Sequence, residues 1–362
     1  MATTYGKNLK ITIYGGSHDA EIGVIAEGLP SGFSIDMQAL GRFMERRAPG
    51  RDALSTARRE PDAPVFLSGV ENDTLNGETL KAVIYNKNQY STDYKNLELI
   101  PRPSHADFAA RAKYGENVDL RGGGHFSGRL TAPMCIVGGI CLQYLSSRGI
   151  HVGAHAYCIG NSYDAPFDMV NLDADTLKKA AISPYPFIDS TAGEAMLAEI
   201  EAARDDGDSV GGIVECGVIG VPAGLGEHMF DGIENRIAQI VFGIPAVKGI
   251  EFGLGFGSSH LHGSENNDPF YTDGEKIYTK TNNAGGILGG MSSGAPIVFR
   301  AAMKPTPSIY KEQDSVNMRT MTNTKLSIVG RHDPCIVLRA VPVFEAAAAI
   351  AITDLLLDGG RP

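Results

Sequence analysis

Apolar and polar residues alternate over residues 9–14, which predicts a strand that stops at Gly15-Gly16. The period then lengthens. Leu40, Phe43 and Met44 fall on one face of a helix that Asp36 would cap and that would run to about Arg47. Residues 130–145 are apolar nearly throughout and predict a buried helix, with Pro133 harmless in its first turn. Thr191-Ala192-Gly193-Glu194 has the form of a capping box, opening a helix to about Arg204 that Gly207 would stop. Residues 227–242 and 344–357 carry helical spacing, whereas residues 210–221, 298–304 and 336–341 read as strands. Helices and strands alternate without regular βαβ spacing, so the expected class is α+β rather than a doubly wound sheet.

One short pattern occurs twice. Gly28-Leu29-Pro30-Ser31-Gly32 and Gly220-Val221-Pro222-Ala223-Gly224 each follow a strand and precede a helix. Either the chain contains a duplicated half, with a site at the junction, or a common turn has arisen twice. No Pro/Gly/Ser-rich linker separates two halves, so residues 1–362 are expected to form one domain.

Composition narrows the function classes. A chain of 362 residues can bury a full core, and 44 glycines predict many turns and close backbone approaches. The net charge of −10 argues against nucleic acid as a partner. The five cysteines are scattered and odd in number, which fits reduced thiols in a cytoplasmic protein rather than a disulfide framework or a zinc site. The N-terminal residues carry no apolar leader, and the apolar stretches at 132–145 and 346–357 are too short or interrupted to span a bilayer.

Against this acidic background, residues 42–59 hold Arg42, Arg46, Arg47, Arg51, Arg58 and Arg59 but only Glu45 and Asp52 as nearby acids. Guanidinium forks bind phosphate and carboxylate in pairs of hydrogen bonds, so this segment is either an anion site or a solvated basic face. Gly122-Gly123-Gly124-His125-Phe126-Ser127-Gly128-Arg129 offers bare backbone N–H groups ahead of a helix, suited to phosphate or a polar ring edge. It is neither a Walker loop nor a dinucleotide fingerprint. His18 ends the first strand and His105 follows the stiff Pro101-Arg102-Pro103; each is a structural imidazole or a proton-transfer group. Lys304-Pro305-Thr306-Pro307-Ser308 is rigid and carries an ammonium and two hydroxyls. Residues 282–290 are dense in glycine, as a flat ligand would require, and Asp333 stands near Arg331 as a candidate base. His260 and His262 form too poor a set for a metal, with Glu265 and Asp268 read as turn residues, and no metal is expected.

Taken in order, these runs resemble the chorismate synthase family over nearly the whole chain. They include Gly15-Gly16-Ser17-His18, Arg46-Arg47-Ala48-Pro49-Gly50, Arg58-Arg59-Glu60-Pro61-Asp62 and Arg102-Pro103-Ser104-His105-Ala106-Asp107. Residues 121–129, 221–227, 246–251, 284–290, 304–308 and 330–345 continue the series. The resemblance implies a β–α–β sandwich with helices between antiparallel sheets, assembled as a homotetramer. It implies loss of phosphate from 5-enolpyruvylshikimate 3-phosphate to give chorismate, with reduced FMN required although no net redox occurs. NADPH would enter only indirectly, by reducing the flavin.

The family's site residues carry over position by position. His18 and His105 would be catalytic, with Asp333 acting through Ser17. His125, Phe126, Ser127, Pro245, Ala246, Gly289, Lys304, Pro305, Thr306, Pro307, Ser308 and Arg331 would meet FMN. Arg46, Arg47, Arg51 and Arg129, together with Arg331, would hold substrate anions. The chain departs from the family where Gly-Glu-Ser-His-Gly is usual: Gly16 and Asp19 replace the Glu and the second Gly. His125-Phe126 stands where Arg-Ser is common, Pro245 where Asn is common, and Asn283 where His is usual. Gly16 and Asp19 leave a second reading open, a paralogue that binds flavin or a phosphorylated shikimate-type ligand without turnover.

Overall fold

The alternating residues at the start of the chain build one face of an antiparallel sheet. Lys10–Gly15 pairs with Ala2–Tyr5 on one side and Glu21–Glu27 on the other; Leu80–Tyr85 and Val65–Ser68 complete it. Ile11, Ile22, Val24, Ala26, Leu80, Ala82 and Ile84 are all buried, the period of two that a strand with one core face requires. The computed structural model describes residues 1–50, 61–86, 99–328 and 332–358.

A second antiparallel sheet runs in the order Val247–Phe252, Ile297–Met303, Gly212–Ile219, His151–Ile159, Ser162–Tyr163. Its inward residues Ala154, Ala156, Val214, Cys216, Phe299 and Ala301 join the main core. The described helices are α1 (Met37–Arg47), α2 (Asp107–Tyr114), α3 (Thr131–Ser146), α4 (Ala174–Ile182), α5 (Ser190–Asp205), α6 (Ile233–Phe242), α7 (Gly263–Asn266) and α8 (Val337–Leu356). Helices α3 and α8 pack on each other; α3 covers the first sheet, α8 the second, and α1 and α6 flank them. The architecture is therefore α+β, with a helical layer between two sheets. An added Cβ on Gly138 of α3 would fall 2.2 Å from Cβ of Ala346 of α8, so the two central helices touch almost backbone to backbone.

The duplication is visible in the topology. In each half the four principal strands lie in the spatial order first, second, fourth, third. In each, one helix follows the second strand and another follows the fourth. The repeated five-residue turns are equivalent in detail. Gly28 (φ 88°) and Gly220 (φ 81°) each press on the carbonyl of the residue two before the first strand, Asn8 or Gly149. Gly32 donates to Leu75 at 2.7 Å, and Gly224 donates to Ser292 at 2.8 Å.

The first strand, α1 with its Asp36 cap, and α3 agree with expectation within a residue or two, as does the strand Ile297–Met303. Three predictions differ. Residues 336–341 are not a strand but the cap and first turns of α8. A helix buried on every side loses its periodic signature, and Pro342 inside it removes one i→i−4 hydrogen bond and so argues locally against a helix. Residues 227–242 are helical only from Ile233, after a single 3-10 turn at Met229–Asp231. Helix α5 is capped by Asp189, whose carboxylate accepts from the N–H groups of Thr191 and Ala192, rather than by Thr191.

Outside the main core, His155, Glu215 and Arg300 sit side by side on the outer face of the second sheet. His155 Nδ1 meets Asp164 at 3.0 Å and Nε2 meets Glu215 at 2.9 Å, all fully buried. Arg300 donates to Glu215 at 2.7 Å. Burial alone would lower the His155 pKa, but the two carboxylates reverse that and raise it. Glu265 and Asp268 are turn residues as expected, accepting from His262 N–H and from the N–H groups of Asn283 and Ala284. Among the described residues, no helix is long and apolar enough to cross a membrane.

Candidate active site

The site forms where the strand Lys10–Gly15 ends beside the glycine turn. Gly122, Gly123 and Gly124 all have positive φ (59°, 96° and 53°), a run that only glycine adopts without strain. The turn is a seat for two imidazoles. An added Cβ on Gly122 would stand 2.1 Å from Cε1 of His18, and one on Gly123 would stand 3.4 Å from Nε2 of His105. The two histidines thus rest against consecutive residues of one turn. Helix α3 begins only at Thr131, so the glycines are not its N-terminus, and the Gly123 N–H is spent on the carbonyl of Leu120.

Each ring is tied through Nδ1. Ser17 donates its one hydroxyl hydrogen to the carbonyl of Arg121 at 3.0 Å, so at 3.2 Å it accepts from His18 Nδ1–H. Ser17 is buried, and its own N–H is held by Gly124. His105 donates Nδ1–H to Asp107 at 2.6 Å. Asp107 also receives Nε and Nη2 of Arg102, at 2.7 and 2.8 Å. Burial would raise the Asp107 pKa, but the hydrogen bonds from Arg102 and His105 hold it well below the carboxylate range, so it stays an acceptor. His125 donates Nδ1–H to the carbonyl of Gly15 at 2.8 Å. In all three, the described hydrogen bond is made at Nδ1. A cleft of about 320 Å³ opens here, lined in part by Gly16, His18, Asp19, Arg121 and His125.

Gly16 and Asp19 fit one another. An added Cβ on Gly16 would come 3.3 Å from Asp19 Oδ2, so the carboxylate lies directly over the bare Cα. The small residue at 16 makes room for the acid at 19.

The proline-bounded loop joins the site through Arg102, whose Nη1 reaches Ser308 Oγ at 3.4 Å. Lys304 N–H is bonded to the carbonyl of Ala246, itself at φ 77°, which brings those two segments together. Burial, then repulsion from Lys248, lowers the Lys304 pKa, and no described carboxylate pairs with it. Thr306 Oγ1 is buried without a partner. Phe126 packs near Tyr114, with ring centroids 6.3 Å apart, and Ser127 caps the turn Gly128–Leu130 by accepting from Arg129 N–H. Gly289 (φ 62°) and Gly290 (φ 89°) form the tip of the hairpin of Ile287–Leu288 and Met291–Ser292. A primed two-residue turn demands their positive φ.

The arginines divide. Arg46 is forked on Glu345 of α8, at 2.5 and 2.8 Å, inside the helical layer. Arg47 and Arg129 share the carboxylate of Asp62. Asp333 accepts from Arg339, which also donates to the carbonyl of Arg47 at 3.2 Å. Arg51 and Arg331 lie outside the described residues. Asp107, Arg102 and Asp62 were present in the sequence motifs but their parts were not; the Arg102–Asp107 pair closes within one loop, and Asp62 pairs with Arg47 and Arg129 only when separate segments meet.

These positions can be set beside known proteins. The chorismate synthase family model matches residues 9–357. The chain belongs to the chorismate synthase family. A chorismate synthase of Lancefieldella parvula is 46% identical, covering 98% of this chain and 96% of that protein. One of Dehalococcoides mccartyi is 44% identical over 99% and 98%, and one of Thermococcus kodakarensis is 44% identical over 97% of each. A crystal structure of chorismate synthase superposes with a TM-score of 0.76 at 28% identity, covering 98% of this chain and 93% of that one. The family relationship thus spans both halves, the duplicated turns and the histidine seat.

Proposed function

We propose that this protein is a carbon–oxygen lyase that converts 5-enolpyruvylshikimate 3-phosphate to chorismate. The observation that carries the reading is the seating of His18 and His105 on adjacent glycines, in a chain of this family. In the reaction the C6–H pair becomes the C1–C6 π bond, the C1–C2 π pair moves to C2–C3, and the C3–O pair leaves with phosphate.

His18, with Nδ1–H held by Ser17, is oriented to deliver a proton from Nε2 to the departing phosphate. His105, held by Asp107 through Nδ1, presents Nε2 to the glycine turn. Asp333, anchored by Arg339, is the base on this reading, and Ser17 orients His18.

Reduced FMN is the cofactor in this reading, and its chemistry is the reversible lending of electron density. The described residues fit it. Lys304 and Lys248 put two ammonium groups near each other without an acid, and Thr306 presents an orphaned hydroxyl, as a phosphate or a ring carbonyl would need. Ala246 holds the N–H of Lys304, Ser308 meets Arg102, and Ser127 lies beside Gly123 near His105. His125, Phe126, Pro245, Gly289, Pro305 and Pro307 remain part of the flavin set by family correspondence, and NADPH acts only by reducing free flavin. The reading of an impaired paralogue rested on Gly16 and Asp19, which here accommodate each other.

We read residues 1–362 as one domain, supported by a core that runs through both halves. Exposed Phe256, Phe270 and Ile277 support self-association into a tetramer. Five unpaired cysteines support a reducing, cytoplasmic setting. The test of function is anaerobic phosphate release with reduced FMN. Release above the flavin-only background is expected; none would overturn the reading.

A further inference from the structure

The end of α5 fixes the place of the residue that follows it. Gly207 stands at φ 68°; its N–H bonds to the carbonyl of Arg204 at 3.0 Å, and the N–H of Asp208 bonds to that of Ala203 at 2.8 Å. This double closure on a left-handed glycine ties Ser209 rigidly to the helix. The strand Gly212–Ile219 begins three residues later, so the connection is held at both ends.

That connection touches two segments of the candidate site. Ser209 Oγ donates to the carbonyl of Thr306 at 2.7 Å, and the Val210 N–H donates to the carbonyl of Pro334 at 2.9 Å, next to Asp333. The carbonyl of Gly207 accepts from the N–H groups of Tyr310 and Lys311, at 2.9 and 3.3 Å, and Lys311 Nζ meets both Asp206 and Asp208. An added Cβ on Gly211 would fall 2.5 Å from the carbonyl oxygen of Met303 and 3.0 Å from Pro305, so the connection lies flat against the start of the proline-bounded loop.

The loop 304–308 needs such a brace. Pro305 and Pro307 carry no N–H, and each disfavours helical backbone in the residue before it, so the loop joins no helix or sheet. Its described ties are few. The Lys304 N–H bonds to Ala246 at 2.9 Å, Ser308 meets Arg102 at 3.4 Å, and Gln313 reaches the carbonyl of Pro307 at 3.5 Å. Ser209 holds the middle, with the shortest of these bonds, at the residue whose own hydroxyl is buried without a partner.

We propose that Ser209 is a positioning residue for the flavin: its hydroxyl holds the loop backbone at Thr306 and so sets where Lys304 and Thr306 meet the cofactor. The proposal rests on the reading above, in which this loop takes FMN. Ser209 acts through Thr306. Without the hydroxyl, Ala246 still holds the start of the loop and Val210 still holds Pro334, so the segment of Asp333 stays in place. The substitution therefore acts on flavin affinity and not on the chemical step.

The test is Ser209→Ala, with FMN titrated into variant and wild type. Flavin fluorescence follows the oxidised form and absorbance the photoreduced form. Loss of one hydrogen bond to the loop should weaken FMN binding about 3- to 10-fold. The reduced-FMN concentration that half-saturates phosphate release should rise by the same factor, with kcat at saturating flavin close to wild type. A lower melting temperature with unchanged FMN affinity, or a fall in kcat alone, would make Ser209 merely structural and overturn the proposal. If Ser209→Ala does not fold, Ser209→Cys replaces it with the same expectations, because a thiol keeps the shape but donates weakly. Wild-type protein that binds no FMN overturns the flavin reading itself and the role of Ser209 with it. Wild-type protein that binds FMN but releases no phosphate overturns only the lyase reading, and the two affinities still decide the role of Ser209.

Discussion

The imidazole of His18 lies against the Cα of Gly122, with no space for a methyl group between them. Gly122→Ala therefore has two costs. Its φ of 59° strains any L side chain by about 1–2 kcal/mol, and its Cβ would push the ring off Ser17. Phosphate release should fall about 10²-fold or more, alongside a lower melting temperature. Gly123→Ala, with 3.4 Å available to His105, should fall less.

His18→Ala and His105→Ala should each slow phosphate release by about 10²- to 10⁴-fold, the usual weight of a proton-transfer group. Asp107→Asn should cost about 10²-fold without touching substrate, because Nδ1 of His105 loses the acceptor that fixes its tautomer. The same carboxylate is linked to pH. Its native pKa lies below the unfolded value, so its stabilisation is complete above about pH 3.9 and is lost as pH falls toward the native value. Acid unfolding of Asp107→Asn should show a shallower pH dependence than the wild type.

The fit of Gly16 to Asp19 predicts non-additive substitutions. Gly16→Glu alone would place a second carboxylate against Asp19 and should impair both folding and rate. Combined with Asp19→Gly it should recover most of the loss, with a coupling of about 1 kcal/mol or more in kcat/KM. Strict additivity would show that the two side chains do not share that space.

The His155 cluster makes stability depend on pH in the alkaline direction. Two carboxylates face its two ring nitrogens, so the ring must carry both protons to satisfy them. The native pKa is raised, so the stabilisation is fully present below about pH 6.5 and is lost as pH rises through the native value. Melting temperature should decline with pH across that window, and His155→Gln should remove that component. The variant should also lose about 3 kcal/mol, because Asp164 and Glu215 remain buried with fewer partners.

The sequence announced those features that depend on local chemistry. The strand before Gly15, the Asp36 cap and the twin Gly-x-Pro-x-Gly turns were readable because alternation, capping and positive φ are properties of a few adjacent residues. The histidines and the glycine turn were readable as motifs, although their contact was not. The start of α8 was misread because burial on every side erases periodicity. The partners of Arg46 and Arg47 were hidden for a different reason. A charge run looks the same whether it faces a ligand or an acid contributed by another loop, and only the fold decides between Glu345, Asp62 and an external anion.

The contact between Gly138 and Ala346 sets how closely the two central helices approach. With hydrogen on one side and methyl on the other, the spacing between the duplicated halves stands near its lower limit. A larger side chain at either position would push α3 and α8 apart. Loops at the rim are free to change chemistry; this seam is not.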